Sequence, residues 1–308
     1  MARGAGNDGP RRATDLVIVP SVNGLPMITD TLAALEAQSA RADTEILVLD
    51  CTTELVRKTI RERHPAARLF TFDRRLSIPL LREHGLEHAR GDIVVMLEDH
   101  CIAPPQWLER LAELHGRLPH AAIAGAVENG STERAIDWAH YLCEYSATSL
   151  PLPRGEAGDI AGNSTGYKRA ALESVAASAG PPRWESFLHE RLRQRGYRFY
   201  CDPDLYVIHR ISFSLGDLLG QRFHYSRSFA AMRREDGSAA ARLVWLVGSL
   251  LLPPVILARI TRQTLRKRRY GRELARAWPF LCLLSLAWGF GELVGYIAGP
   301  GRSLEKVR

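Results

Sequence analysis

The stretch Arg82–Leu108, REHGLEHARGDIVVMLEDHCIAPPQWL, decides the reading of this chain. A helical segment carrying Arg82 ends at Ala89-Arg90-Gly91, and a continuous apolar run follows over Asp92–Leu97. A run of about six apolar residues between turn signals suits a strand covered on both faces of a parallel sheet. It ends in Glu98-Asp99-His100, ahead of Pro104-Pro105. Open α/β sheets bind ligands at the carboxyl ends of such strands. Two carboxylates and an imidazole held together are costly without a cation or a proton to share. A solvated acidic loop is the plain alternative; the position after a central strand favours a metal.

Outward from that strand, the chain alternates strand and helix. Asp15–Pro20, Glu45–Leu49 and Ala67–Phe72 read as strands, and Ile28–Gln38, Glu54–His64 and Ile78–Ala89 as helices. This alternation predicts a parallel sheet with helices on its faces. Further on, Pro105–Leu118 reads as a helix, Ala121–Val127 as one strand, Pro151–Asp159 as a flexible loop and Glu185–Arg195 as a helix closed by Gly196. Asp137–Glu144 reads as helix or loop, Ala161–Tyr167 is glycine-rich, and Leu205–Ile208 is a short strand that runs into His209.

The chain has 308 residues, a formal net charge of +7 and an isoelectric point near 9.4. Much of the excess positive charge lies in the C-terminal third, which fits an anionic membrane surface better than nucleic acid. No basic-aromatic interleaving or zinc-finger spacing supports a nucleic-acid partner. The five cysteines are scattered and form no CxxC pair, which predicts reduced thiols in a cytosolic setting. The N-terminus, MARGAGNDGPRRATD, lacks an apolar segment; it predicts a disordered tail over 1–14 and no cleaved signal peptide.

The last hundred residues change character. Leu215–Arg234 is amphipathic and suits a helix in a membrane interface, or one packed on the globular domain. The segments 243–258 and 278–298 are strongly apolar. The second is long enough to span a bilayer, at about 20 residues. The first is short for a span and contains Pro253-Pro254. The intervening loop carries Arg259, Arg262, Arg266, Lys267, Arg268, Arg269, Arg272 and Arg276. Two simple spans would put that loop on the side opposite the preceding domain, against the preference of basic residues for the cytoplasm. A re-entrant or interfacial hairpin resolves the conflict.

Five segments resemble, in order, those of the family 2 inverting glycosyltransferases of GT-A fold. VIVPSVNGLPMITDTLAALEAQ is similar to the family's opening strand, turn and helix. EILVLDCTTE is similar to its nucleotide-binding strand and turn. LLREHGLEHARGDIVVMLEDH is similar to its approach to the acidic metal motif. GNSTGYKRAAL is similar to its acceptor-side loop. WESFLHERLRQRGYRFYCDPDLYVIHR is similar to the stretch with the catalytic carboxylate and the late metal-binding histidine. The resemblance covers about residues 15–235. It implies an α/β fold with a mostly parallel sheet, a catalytic domain over 15–212, and membrane-associated helices over 213–308.

For the site, it implies Glu185 as the catalytic base. It puts Pro20, Asn23, Asp50, Arg82 and Asp99 on the nucleotide-diphosphate sugar, with Asp50 against the base. It puts Asn163 and Ser164 beside the acceptor. Glu98, His100 and His209 would hold Mg²⁺ or Mn²⁺. The partners implied are the sugar nucleotide, a lipid-linked or glycan acceptor and a membrane, with the catalytic domain on the cytoplasmic face of a bacterial inner membrane. Two positions depart from the family's pattern: Glu98-Asp99-His100 stands where Asp-x-Asp is usual, and Trp184-Glu185 where an acid precedes Asp. His189 and Glu190, one turn on, are the alternative to Glu185. Arg82 also suits an ion pair, His209 a buried core histidine and Asp50 a turn. A sugar nucleotidyltransferase and a non-catalytic membrane scaffold are the competing functional readings.

Overall fold

A computed structural model of the chain describes residues 15–38, 44–176 and 184–307. The proposed N-terminal tail over 1–14 lies outside the described residues. The core is an eight-stranded mixed sheet ordered β3-β2-β1-β4-β9-β6-β10-β8. Its strands are β1 (Asp15–Ser21), β2 (Thr44–Asp50), β3 (Arg68–Thr71), β4 (Ile93–Leu97), β6 (Ala122–Ala124), β8 (Gly155–Ala157), β9 (Ser164–Lys168) and β10 (Phe199–Cys201). Strands β3, β2, β1 and β4 are parallel. Every residue of β1 is buried, as its unbroken apolar run requires of a strand covered on both faces. Helices α1 (Met27–Glu36), α2 (Glu54–Arg63), α3 (Ile78–Glu87), α4 (Trp107–Arg117), α6 (Arg169–Ala176) and α7 (Glu185–Gln194) flank the sheet.

Register places the loops that matter. Ile18 stands opposite Met96 and Ser21 opposite Asp50, so the end of β1 is level with that of β2 and reaches beyond that of β4. Strand β9 runs antiparallel between β4 and β6, with Ser164 opposite Leu97. That reversal brings residue 163 beside residue 98. A second, three-stranded sheet, β5-β11-β7, joins β5 (Cys101–Ile102), β11 (Val207–His209) and β7 (Val127–Asn129). His209 pairs with Cys101, which delivers it next to His100 across more than a hundred residues of sequence.

Three expectations are corrected here. Ala121–Val127 is not one strand: β6 and β7 lie in different sheets. The break falls at Gly125, where an added Cβ would overlap the Leu205 carbonyl. Pro151–Asp159 is not simply a loop, since β8 pairs with β10 and Arg154 is fastened to Asp202 and Asp204. The amphipathic helix α8 (Leu215–Asp236) packs against protein rather than lying bare in an interface. Its apolar stripe, with Leu218, is covered by α5 (Ala135–Tyr145) and α10 (Gly271–Ala298). The apolar segment 243–258 belongs to the longer α9 (Ala239–Arg266), which runs continuously through Pro253 and Pro254.

Candidate active site

Asp99 anchors the loop after β1. Its Oδ2 accepts hydrogen bonds from the Val22 and Asn23 backbone N–H groups at 2.7 and 2.8 Å. Its Oδ1 accepts from Asn23 Nδ2 at 2.8 Å and faces His100 Nδ1 at 2.9 Å. The carboxylate is 1% exposed and has no face left for a ligand. Burial alone would raise its pKa, but the hydrogen bond and charge of His100 and the Asn23 donors outweigh that and hold it below the usual range. Asp99 therefore orients other groups: with its Nδ1 on Asp99, His100 turns Nε2 the other way.

That Nε2 lies 2.8 Å from Nε2 of His209, 3.4 Å from Glu98 Oε2, and the latter is 3.9 Å from His209 Nε2. One ligand atom from each of the three residues falls within a 4.8 Å set. Adjacent ligands of an octahedral ion with bonds of about 2.1 Å stand about 3 Å apart. The two ring nitrogens are at that spacing and Glu98 is slightly wider, so the residues fit one divalent ion. One carboxylate and two imidazoles can hold a divalent cation. Burial opposes charge on His100, yet Asp99 and Glu98 prevail and raise its pKa. Burial and the neighbouring His100 and His140 push His209 well below its ordinary value.

Arg82 sits behind this cluster, 4% exposed, on the inner face of α3. The helix begins at Ser77, whose side chain caps Leu80 N, followed by Pro79. The Arg82 guanidinium pairs with Glu185 and stands 3.8 Å from Glu98 Oε1. It bridges the metal carboxylate and the first residue of α7. Glu185 is pressed against Gly162, where an added Cβ would meet Glu185 Cγ at 2.6 Å. Asn163 Nδ2 donates to Tyr145 Oη at 2.8 Å and to Glu98 Oε2 at 3.3 Å.

A cavity of about 290 Å³ opens over the cluster, with Glu98, His100, His209, Asn163 and Glu185 in its wall. Further wall residues carried no sequence signal, Tyr145, Arg222 and Tyr225, while Trp184 stood out only as the neighbour of Glu185. Trp184 and Tyr225 stack with centroids 4.3 Å apart, and Arg222 is buried against Glu144. Only the aromatic content of α5 and α8 could have hinted at them, and their burial depends on helix packing that pattern alone does not give. A second cavity, about 540 Å³, lies across the Asn23 loop, between Val22–Leu25, Cys51–Thr53 and Arg75.

Not every expected residue reaches a cavity. Asp50 is fully buried; Ser21 Oγ and Thr52 Oγ1 donate to Oδ1 at 2.8 and 2.6 Å, and Thr52 N and Arg57 Nε to Oδ2 at 3.2 and 3.0 Å. Pro20 lies within β1 opposite Leu49. Ser164 is buried in β9 opposite Leu97, with no partner for its hydroxyl. His189, the alternative to Glu185, lines the cavity but is tied to Tyr167 and Asp159. Glu190 pairs with Arg193 at the exposed surface.

The glycosyl transferase family 2 model matches residues 16–176. No curated protein sequence matches the chain significantly. Among solved structures, the chain is similar to the mannosyltransferase PcManGT from Pyrobaculum calidifontis, determined with GDP-Man and Mn²⁺. The TM-score is 0.58 at 20% identity, over 94% of this chain and 88% of that one. It is also similar to GalNAc-T7, determined with UDP, GalNAc and Mn²⁺, with a TM-score of 0.52 at 17% identity over 67% and 45%. At these identities the shared property is the GT-A fold.

Proposed function

The chain belongs to glycosyl transferase family 2, and from that premise we propose that it moves a hexosyl unit from a nucleotide-diphosphate sugar to a hydroxyl acceptor with inversion. The observation that carries the reading is the shared wall of the 290 Å³ cavity: a three-residue metal set on one side and Glu185 on the other, bridged by Arg82. The similar solved structures were determined with sugar nucleotides or their parts and Mn²⁺, which supports the same donor class here. Family membership favours glycosyl transfer over the nucleotidyltransferase reading.

Glu98, His100 and His209 would hold the divalent ion, Mg²⁺ or Mn²⁺, the latter supported by its presence in the similar solved structures. Bound there, it supplies a positive charge against the diphosphate as the leaving group departs. Asp99 fixes the His100 ring and the Asn23 loop. Asn23 and the Cys51–Thr53 turn form the wall of the second cavity and would receive the nucleoside. Asp50 acts through Thr52 and Arg57. Arg82 holds Glu98 and Glu185 in place and is a positioning residue. Glu185 accepts the proton of the acceptor hydroxyl as that oxygen bonds to the anomeric carbon and the bond to the diphosphate breaks. Asn163, Trp184 and Tyr225 form the acceptor wall; Ser164 is given no contact there.

We assign residues 15–212 to the catalytic domain and 213–308 to membrane attachment, the latter also lending Tyr225 to the acceptor wall, with the catalytic domain at the cytoplasmic face of a bacterial inner membrane. Two helices long and apolar enough to cross a membrane support attachment. A lipid-linked or envelope-glycan acceptor follows from it. Replacement Glu185→Gln tests the assignment. Transfer is expected to fall by about 10²–10⁴-fold, with donor affinity within about twofold of wild type. Unchanged turnover would remove Glu185 from the mechanism, and absent turnover in the wild type across a panel of sugar nucleotides with Mn²⁺ would favour the non-catalytic scaffold.

A further inference from the structure

Helices α9 and α10 pass every length and composition test for membrane spans. Their attachments argue against crossing. Each has 28 residues, or about 42 Å of helix. Both ends of each are fastened to the same catalytic body. At the turn between them, Lys267 Nζ donates to the Ala147 and Ser149 carbonyls, and Arg269 and Tyr270 bind Glu128. At the opposite end, α9 follows α8 directly, and the Arg233 guanidinium of α8 lies over the Trp245 ring, 4.8 Å from its centroid. Beyond α10, the tail returns to the catalytic domain, where Arg75 binds the carbonyls of Glu305 and Val307 at 2.6 and 3.1 Å.

Helix α10 also lies lengthwise on the domain. Its first half, with Leu274, Ala277 and Leu281, shares one buried cluster with Ile136 and Leu142 of α5. In its second half, Gly291 and Gly295 allow close approach to α8; a Cβ at Gly295 would meet the Arg227 carbonyl at 2.5 Å. A crossing α10 would carry into hydrocarbon the buried Arg222–Glu144 pair and the Arg134–Asp137 pair of the helices fastened to it, at a cost membranes rarely accommodate outside protein interiors.

The opposite faces tell the rest. Of the fourteen large hydrophobic residues exposed among the described residues, twelve are on α9 and α10. On α9, Leu243, Val247, Leu250 and Val255 fall on one side, and on α10 so do Leu286 and Phe290, at helical spacing. Exposed cations bound this face at both ends: Arg262, Arg266 and Arg272 near the turn, and Arg242, Arg302 and Lys306 at the other end.

We propose that α9 and α10 form an in-plane membrane seat: the hairpin lies in one leaflet of an anionic bilayer, without crossing it, and both basic ends stay at the headgroups of the same surface. This rests on the membrane-attached reading above and sets its mode. The seat also fixes the depth of the active site. Tyr225 in the cavity wall touches Trp288 of α10, with ring centroids 5.5 Å apart. One helix, about 10 Å thick, separates the cavity from the lipid-facing stripe. An acceptor hydroxyl carried at headgroup height is the substrate this placement serves.

The experiment uses the full chain reconstituted in vesicles of phosphatidylcholine and phosphatidylglycerol. Single cysteines replace Arg272 or Arg302, at the two ends of α10, on a Cys282→Ser background; the other four cysteines are buried. A membrane-impermeant maleimide should label both positions to the same extent before the vesicles are opened. Labelling of the two ends from opposite sides would overturn the seat and leave membrane attachment standing. Absence of binding to vesicles of any composition, or a stable oligomer that covers the stripe in buffer, would end both. The double replacement Arg262→Glu and Arg266→Glu reads the charge directly: it should weaken binding to the anionic vesicles by about thirtyfold or more and change binding to pure phosphatidylcholine little.

Discussion

Asp50 and Glu98 stand at the carboxyl ends of β2 and β4, two positions that look equivalent in the sequence. Asp50 has no exposed surface, and four donors from its own chain fill its oxygens. The Glu98 side chain is 21% exposed, faces two imidazoles and a guanidinium, and forms part of a cavity wall. Asp99, the immediate neighbour of Glu98, belongs with Asp50, because four polar groups surround it. A carboxylate saturated by its own fold shapes loops. One left partly exposed beside converging ligand atoms can also serve a bound cation. The comparison divides an acidic motif into a structural residue and a chemical one.

The sharpest way to test that division is to remove a member of the converging set. His209→Ala leaves two of three donors, and turnover with Mn²⁺ should fall by about a hundredfold or more, beyond the 10–100-fold typical of outer-shell partners. The rise in melting temperature on adding Mn²⁺ with a nucleoside diphosphate should vanish as well, since a ligand stabilises only the form it binds. A full thermal response in the variant would break the metal assignment. Gly162→Ala tests the other wall. The new methyl group must displace Glu185, and a misplacement of about 1 Å costs up to a hundredfold. Turnover should drop by roughly tenfold to a hundredfold with donor KM unchanged. An unaltered kcat would show that Glu185 is not held where the chemistry occurs.

How much of this could be read in the sequence follows from the range of the forces involved. The parallel half of the sheet was legible because β1, β2 and β4 are unbroken apolar runs, and burial on both faces leaves that mark. Strand β9 carries STGYK, which has no such run, and its antiparallel insertion between β4 and β6 is a matter of long-range pairing. The three metal-set residues were all named from their places after strands. Their convergence was implied by the family resemblance and not by local pattern, because it depends on β11 pairing with β5 in a separate small sheet. Arg82 was visible as a charge on a helix; only the structure shows the charge turned inward to two carboxylates. Tyr145 and Tyr225 were invisible, since an aromatic residue facing a cavity has the same pattern as one facing the core.

The saturated class yields the smaller effects, on stability rather than turnover. Asp50→Asn keeps the shape and loses a charge that Arg57, Ser21 and Thr52 all address. Stability should fall by about 1–3 kcal/mol, read by denaturant unfolding, while the Mn²⁺ response survives. A donor affinity lowered more than tenfold with stability unchanged would move Asp50 into the ligand-contacting class and break the comparison.

Asp137 offers the mildest test, far from the cavity chemistry. Burial would raise its pKa, but Arg134 and Ser212, which reach it at 2.7–2.8 and 2.6 Å, outweigh that and hold it below its ordinary value of 3.8. A carboxyl depressed in the folded state stabilises the fold above its unfolded value, and that contribution disappears as the pH falls through the folded value. Arg134 is about half exposed, so solvent screens the pair and the contribution is about 1 kcal/mol or less. Asp137→Asn should therefore lower stability slightly at neutral pH. The gap from wild type should begin to narrow below about pH 4, near the unfolded value, and close as the pH falls through the lower folded value. A gap that stayed constant down to pH 2 would mean that Asn fails to pack at this site, and that the charge of a saturated carboxylate contributes nothing to the fold.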